Sequence, residues 1–179
     1  MNLLELAGTR VVIGDGGMGT ELQRAGLAIG ECGERWTLDH PERIEAVHAA
    51  YVAAGSEAII SASFGANRWV LGRYGLSGEV AAVNRAAAGI ARRAAGSRVT
   101  VLGDIGPCGG FLRPLGEIEP DDLRAEFTGQ AKALLEGGCD GIIIETMSAM
   151  EEVTIGIRAA LAAGAPFVIA SLAFDRHPS

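Results

Sequence analysis

Thiols are scarce in this 179-residue chain: Cys32, Cys108 and Cys139 are the three cysteines, odd in number and never in a Cys-x-x-Cys pair. Neither a disulfide framework nor a zinc knuckle is indicated by such spacings. Lysine is rarer still, since Lys132 stands alone among 15 basic residues. No basic run exists that could follow a phosphate backbone, and with a net charge of -7 nucleic acid is excluded as an expected partner. Long apolar runs are missing too. The stretch from Phe167 to Phe174 is too short to cross a bilayer, and Met1 to Gly19 lacks the basic start and apolar centre of a signal peptide. No membrane partner is expected, and the expected location is cytoplasmic. No linker or low-complexity tract divides the chain, so one domain is expected.

What is abundant is glycine, with 26 residues, and an apolar share of 49%, arranged as short apolar runs alternating with longer amphipathic ones. That alternation is the pattern of βα units around a parallel sheet. Strands are predicted at Arg10 to Gly14, Glu57 to Ser63, Val99 to Asp104, Gly141 to Glu145 and Phe167 to Ala173. Between them, a helix capped by Asp39 runs to Gly55, a second spans Glu79 to Ala95, a third is capped by Asp121 or Asp122 and closes at Gly137 and Gly138, and a fourth spans Met150 to Ala163. A weak internal echo supports the repetition: Gly55-Ser56-Glu57 and Gly138-Cys139-Asp140 both lead from a helix stop through an acid into a strand. Two connections are long, Thr20 to His40 and Ile105 to Pro120, and both follow strands, where α/β folds bind their substrates.

Each early strand ends in a polar residue: Asp15, Ser61 with Ser63, Asp104 and Glu145. In a parallel sheet these would converge on one mouth as three carboxylates and two hydroxyls. Three chemistries compete for that mouth. Gly14-Asp15-Gly16-Gly17-Met18-Gly19 fits G-x-G-x-x-G, but Gly26 interrupts the segment that should be a full helix, and Asp39 precedes the first long helix rather than ending a second strand, so a dinucleotide site is not supported. A Mg²⁺-dependent enzyme could use Asp15, Asp104 and Glu145 as oxygen ligands. The histidines offer no zinc motif: His48 reads as a satisfied core imidazole, His40 as part of a helix start, and His177 lies in a polar tail. Cys108 is the only thiol expected near the mouth, without an evident base to activate it. Trp36 is expected to cover the mouth, and Phe64 either to line the site or to pack beneath the loop.

Six ordered segments together resemble the homocysteine S-methyltransferase family, over almost the whole chain. They are Val11-Val12-Ile13-Gly14-Asp15-Gly16-Gly17-Met18-Gly19-Thr20; Trp36-Thr37 with His40-Pro41-Glu42 and Val47-His48; Ala54-Gly55-Ser56; Ser63-Phe64-Gly65-Ala66-Asn67-Arg68; Gly103-Asp104-Ile105-Gly106-Pro107; and Gly141-Ile142-Ile143-Ile144-Glu145-Thr146 with Glu151-Glu152. The resemblance implies a (β/α)₈ TIM barrel, of which this chain would hold the amino-terminal portion, about four and a half of eight βα units. It implies that Asp15 and Glu145 bind the amino group of homocysteine, with Gly16, Ser61 and Phe64 shaping the pocket. In the family, zinc held by three cysteine thiolates keeps the homocysteine sulfur deprotonated. None of Cys32, Cys108 and Cys139 matches those ligands, so no metal ligand is assigned here and the chain is expected to be inactive in methyl transfer by itself. The methyl donor stays open among methyl-cobalamin, betaine, a dimethylglycine-like amine and S-methylmethionine. A metal-free, homocysteine-binding half barrel that associates with itself through exposed strand edges is the alternative.

Overall fold

A computed structural model describes residues 3–174; His177 lies outside them. The elements in order are α1 (Leu3–Ala7), α2 (Met18–Arg24), a short 3-10 turn (Gly33–Arg35), α3 (Trp36–Asp39), α4 (Pro41–Ala53), β1 (Ala58–Ile60), α5 (Arg68–Gly72), α6 (Val80–Ala95), β2 (Thr100–Ile105), α7 (Pro120–Glu136), β3 (Gly141–Met147), α8 (Met150–Ala162) and β4 (Val168–Leu172). The four strands form one parallel sheet in the order β1-β2-β3-β4. The fold is α/β, with each neighbouring pair of strands joined through helix as parallel pairing demands.

Alternation along the strands separates two faces. Ile59, Val101, Ile105, Ile142 and Ile144 enter the main core, where they meet Ala88 and Ala91 of α6, Leu123, Phe127 and Leu134 of α7, and Val153, Ala159 and Ala160 of α8. Ala58, Leu102 and Ile143 form the opposite face, packed with Leu3, Val12, Ile60, Phe167 and Ile169. Asp104 and Glu145 belong by alternation to this second face, beyond its apolar residues and at the carboxyl end of the sheet.

The predicted first strand does not form. Residues 11–17 run beside β1 in irregular backbone, and the reason is visible in the hydrogen bonds. Ile13 O accepts from both Glu57 N and Ala58 N at 2.8 and 3.3 Å, while Ile13 N donates to Glu57 Oε2 and Ile60 N to Asp15 Oδ2. Side-chain oxygens thus occupy positions that a ladder would give to carbonyls. Among the described residues no strand pairs with the outer side of this segment, and Val11 and Ile13 are 84% and 59% exposed.

Helix starts depart from expectation in detail. Asp39 does not cap α4; it pairs with Arg35 at 2.9 Å, and α4 begins at Pro41 after His40. Asp121 and Asp122 lie inside the first turn of α7, where their charge complements the helix dipole, and Pro120 opens the helix after Glu119. The connection from Thr20 to His40 is built from short helices. The internal echo is a structural one. Gly55 and Gly138 take φ of 106° and 107°, open to glycine at little cost. The acids that follow do the same work: Glu57 accepts from Ile13 N and pairs with Arg10, and Asp140 accepts from Val101 N at 2.8 Å and pairs with Arg92.

Candidate functional site

A cavity of about 610 Å³ opens at the carboxyl end of the sheet. Asp15, Gly16, Ser61, Phe64 and Glu145, the five residues singled out from the sequence, all line it, together with Asp104, Glu34, Met18, Leu22, Leu27 and Ile60. Ser63 lies just beneath, fully buried.

Each residue reaches the cavity for a local reason. Gly16 approaches Tyr51 so closely that a Cβ would stand 2.9 Å from the phenol oxygen, and Tyr51 in turn donates to Gly17 O at 3.2 Å. Phe64 is 42% exposed over the mouth, its carbonyl taken by Gly106 N at 3.0 Å. Ser61 and Ser63 close a ring with Asp104: Asp104 N donates to Ser61 Oγ at 3.0 Å, the two hydroxyls are 2.8 Å apart, and Ser63 Oγ donates to Asp104 O at 2.8 Å. Because the Ser63 proton goes to that carbonyl, Ser61 must donate to Ser63. Its oxygen therefore meets a ligand only as an acceptor.

Glu145 is aimed by an irregularity. Ile144 pairs with Ala170 but Met147 pairs with Leu172, so β3 carries one more residue than β4 over this stretch, a β-bulge. Thr146 takes φ of 57°, and its N–H donates to Ser171 Oγ at 2.8 Å. Glu145 faces the cavity while Met147 returns to the main core, fully buried.

The cavity's wall is acidic, and burial raises Asp15 and Asp104. Asp15 is pushed up to about 6, by burial first, against the hydrogen bond from Ile60 and with a smaller contribution from Glu145. Asp104 is raised well above its ordinary value by burial, then by the charge of Glu145 and a side-chain hydrogen bond with it, then by Glu34 and Asp15. Glu34 carries no motif in the sequence. It enters because its Oε1 accepts from Gly65 N at 2.8 Å, a contact between two loops that no local spacing signals.

Other expectations fail in place. Cys108 is 1% exposed and packs in the main core, not at the mouth. Trp36 lies 7% exposed in a cluster with Leu22, Ile44, Ala62 and Ile90, under Arg43 and beside His40, and does not line the cavity. His48 is buried as expected but not satisfied: neither ring nitrogen has a partner, and burial lowers its pKa to about 4. Among the described residues, no three His, Cys, Asp or Glu side chains are grouped so as to hold a metal ion, and that includes Asp15, Asp104 and Glu145.

Residues 12–178 match the family model described as homocysteine S-methyltransferase. The chain belongs to that family. Methionine synthase of Mycobacterium tuberculosis is 36% identical over 157 residues, covering 81% of this chain and 13% of that protein. Homocysteine S-methyltransferase YbgG of Bacillus subtilis is 28% identical, with 83% of this chain and 54% of the relative covered, and mouse betaine--homocysteine S-methyltransferase 1 is 29% identical, with 87% and 39% covered. The chain thus spans about half or less of the length of the curated relatives it matches. In fold it is similar to the oxidized form of the homocysteine methyltransferase MmuM from Escherichia coli, with a TM-score of 0.80, 25% identity, and 97% of this chain and 66% of that chain covered.

The family's zinc does not fit the thiols present. Cys32, Cys108 and Cys139 are free, buried and absent from the cavity lining, and burial pushes them up to about 11, 12 and 12. A zinc ligand must be a thiolate, and these are held as thiols.

Proposed function

We propose that the chain is the amino-acid-binding portion of a homocysteine S-methyltransferase, the amino-terminal part of a (β/α)₈ barrel running through residues 1–179. The observation that carries this reading is the cavity, which gathers Asp15, Gly16, Ser61, Phe64 and Glu145 at one end of a parallel sheet and, among the described residues, has no Arg, Lys or His in its lining. An acidic wall suits the ammonium group of homocysteine. Asp15 and Glu145 hold that group, the Ser61 oxygen accepts from it, and Phe64 and Met18 cover the aliphatic part of the substrate.

Methyl transfer to the homocysteine sulfur needs a thiolate, since the neutral thiol is a poor nucleophile. The described residues offer no centre that would remove the thiol proton by coordination. The chain therefore binds and orients the amino acid, and the sulfur is activated by groups outside it. The donor, whether methyl-cobalamin, betaine, a dimethylglycine-like amine or S-methylmethionine, approaches from the open side of the cavity. Val11 and Ile13, exposed beside an unpaired edge, support self-association as a second property of the chain alone.

Calorimetric titration of the chain with L-homocysteine tests the reading. Binding is expected, with a loss of about tenfold on Glu145→Ala. No heat of binding at any accessible concentration, or equal binding by Glu145→Ala, would overturn it.

A further inference from the structure

Four carboxyl groups, Asp15, Glu34, Asp104 and Glu145, line one cavity whose wall holds no basic side chain among the described residues. So many like charges cannot all be ionised in an empty site of low polarity, and the hydrogen bonds decide which group yields. Asp15 accepts from Ile60 N at 2.9 Å, and Glu34 accepts from Gly65 N at 2.8 Å; each donor favours the anion. Asp104 has no such help. It is 3% exposed, its Oδ1 is buried without a partner, and the Ser61 and Ser63 hydroxyls bond its backbone rather than its side chain. Glu145, two residues past the register partner Ile143 on the neighbouring strand β3, lines the same cavity and is the carboxylate that acts on it most strongly.

We propose that Asp104 is a neutral carboxylic acid whose proton is donated to Glu145, making Asp104 the positioning residue that aims the Glu145 carboxylate at the ammonium group of the bound amino acid. The proton stays on Asp104 and is shared along the hydrogen bond; no bond to carbon or sulfur changes. The titratable neighbours are Glu145 on β3, Asp15 on the irregular segment, Glu34 on the 3-10 turn, and the buried Cys139 thiol at greater remove. Burial and these three negative groups act in one direction, keeping the proton in place. The pair then carries one charge, and with Asp15 and Glu34 the wall offers three, enough to select an ammonium over the hydroxyl of an otherwise similar hydroxy acid.

The ammonium part of this assignment rests on the homocysteine reading above, whereas the proton on Asp104 does not. Difference infrared spectroscopy of the ligand-free chain at neutral pH reads the proton directly. A carbonyl stretch of a protonated carboxyl group is expected, lost in Asp104→Asn and shifted in Glu145→Gln, which keeps the fold while weakening the acceptor. No band at neutral pH, or a band that persists in Asp104→Asn, overturns the proposal. Titration with L-homocysteine adds the functional arm: Asp104→Asn, whose amide still donates to Glu145, is expected to bind about tenfold more tightly than Asp104→Ala. Equal affinity of the two variants would refute the positioning role. If homocysteine fails to bind the wild-type chain while the band is present, the substrate assignment falls and the proton on Asp104 stands.

Discussion

Asp15 Oδ2 accepts the amide hydrogen of Ile60 at 2.9 Å, so one carboxylate both faces the cavity and fastens residues 11–17 to β1. Asp15→Ala removes both contacts and is expected to cost about 1 kcal/mol of stability. Asp15→Asn keeps the bond through its carbonyl oxygen. The sign of the pH effect follows from burial: Asp15 is raised from 3.8 to about 6, so the native state holds the proton longer than the unfolded chain. Its contribution to stability falls as pH rises from about 4 to about 6 and is constant above. The urea midpoint of the wild type relative to that of Asp15→Asn should fall across that window, since the contribution of His48 is common to both proteins.

His48 acts with the opposite sign. Its pKa is lowered from 6.5 to about 4, chiefly by burial, so the unfolded chain binds the proton first and stability is lost as pH falls through that interval. The full effect is about 3 kcal/mol. His48→Leu, which fills the same core without two unpaired nitrogens, should be more stable at pH 4 than the wild type; an unchanged acid limb would contradict this origin.

Ser63→Ala opens the ring that joins β1 to β2. It leaves the Ser61 hydroxyl without its acceptor and the Asp104 carbonyl without its donor, both in buried surroundings. A loss of about 2 kcal/mol is expected by chemical denaturation. A loss no larger than that of an exposed Ser→Ala change would show the ring to be idle.

Thr146 is a β-branched residue at φ of 57°, a conformation that costs L-residues about 1 kcal/mol or more. Thr146→Gly keeps the N–H that donates to Ser171 and should raise the unfolding free energy slightly, by up to about 1 kcal/mol. A marked fall would mean that the threonine side chain contributes more than its backbone costs.

Much of this architecture is legible in the sequence because it rests on local patterns. Continuous apolar runs such as Ile142 to Ile144 read as strands buried on both faces, and Pro41, Pro120 and the glycines after α4 and α7 punctuate the helices. Polar residues at strand ends led to the cavity, since parallel strands bring their carboxyl ends together. What escaped depends on contacts across loops. The first strand is lost because the carboxylates of Glu57 and Asp15 take the place of ladder carbonyls. Glu34 joins the site through a bond to Gly65, 31 residues away, and Cys108 turns inward through Glu152, which accepts its N–H at 2.8 Å. Neither has a periodicity to read.

The extra residue in β3 separates two neighbours that an unbroken strand would bind to one fate. Met147 belongs to the core of the sheet and helices, while Glu145 lines the cavity. Changes at the cavity can therefore accumulate without disturbing the packing two residues later. A scaffold arranged in this way is open to selection at its cavity wall while its interior stays as it is, and that makes position 145 the natural place to alter what the cavity accepts.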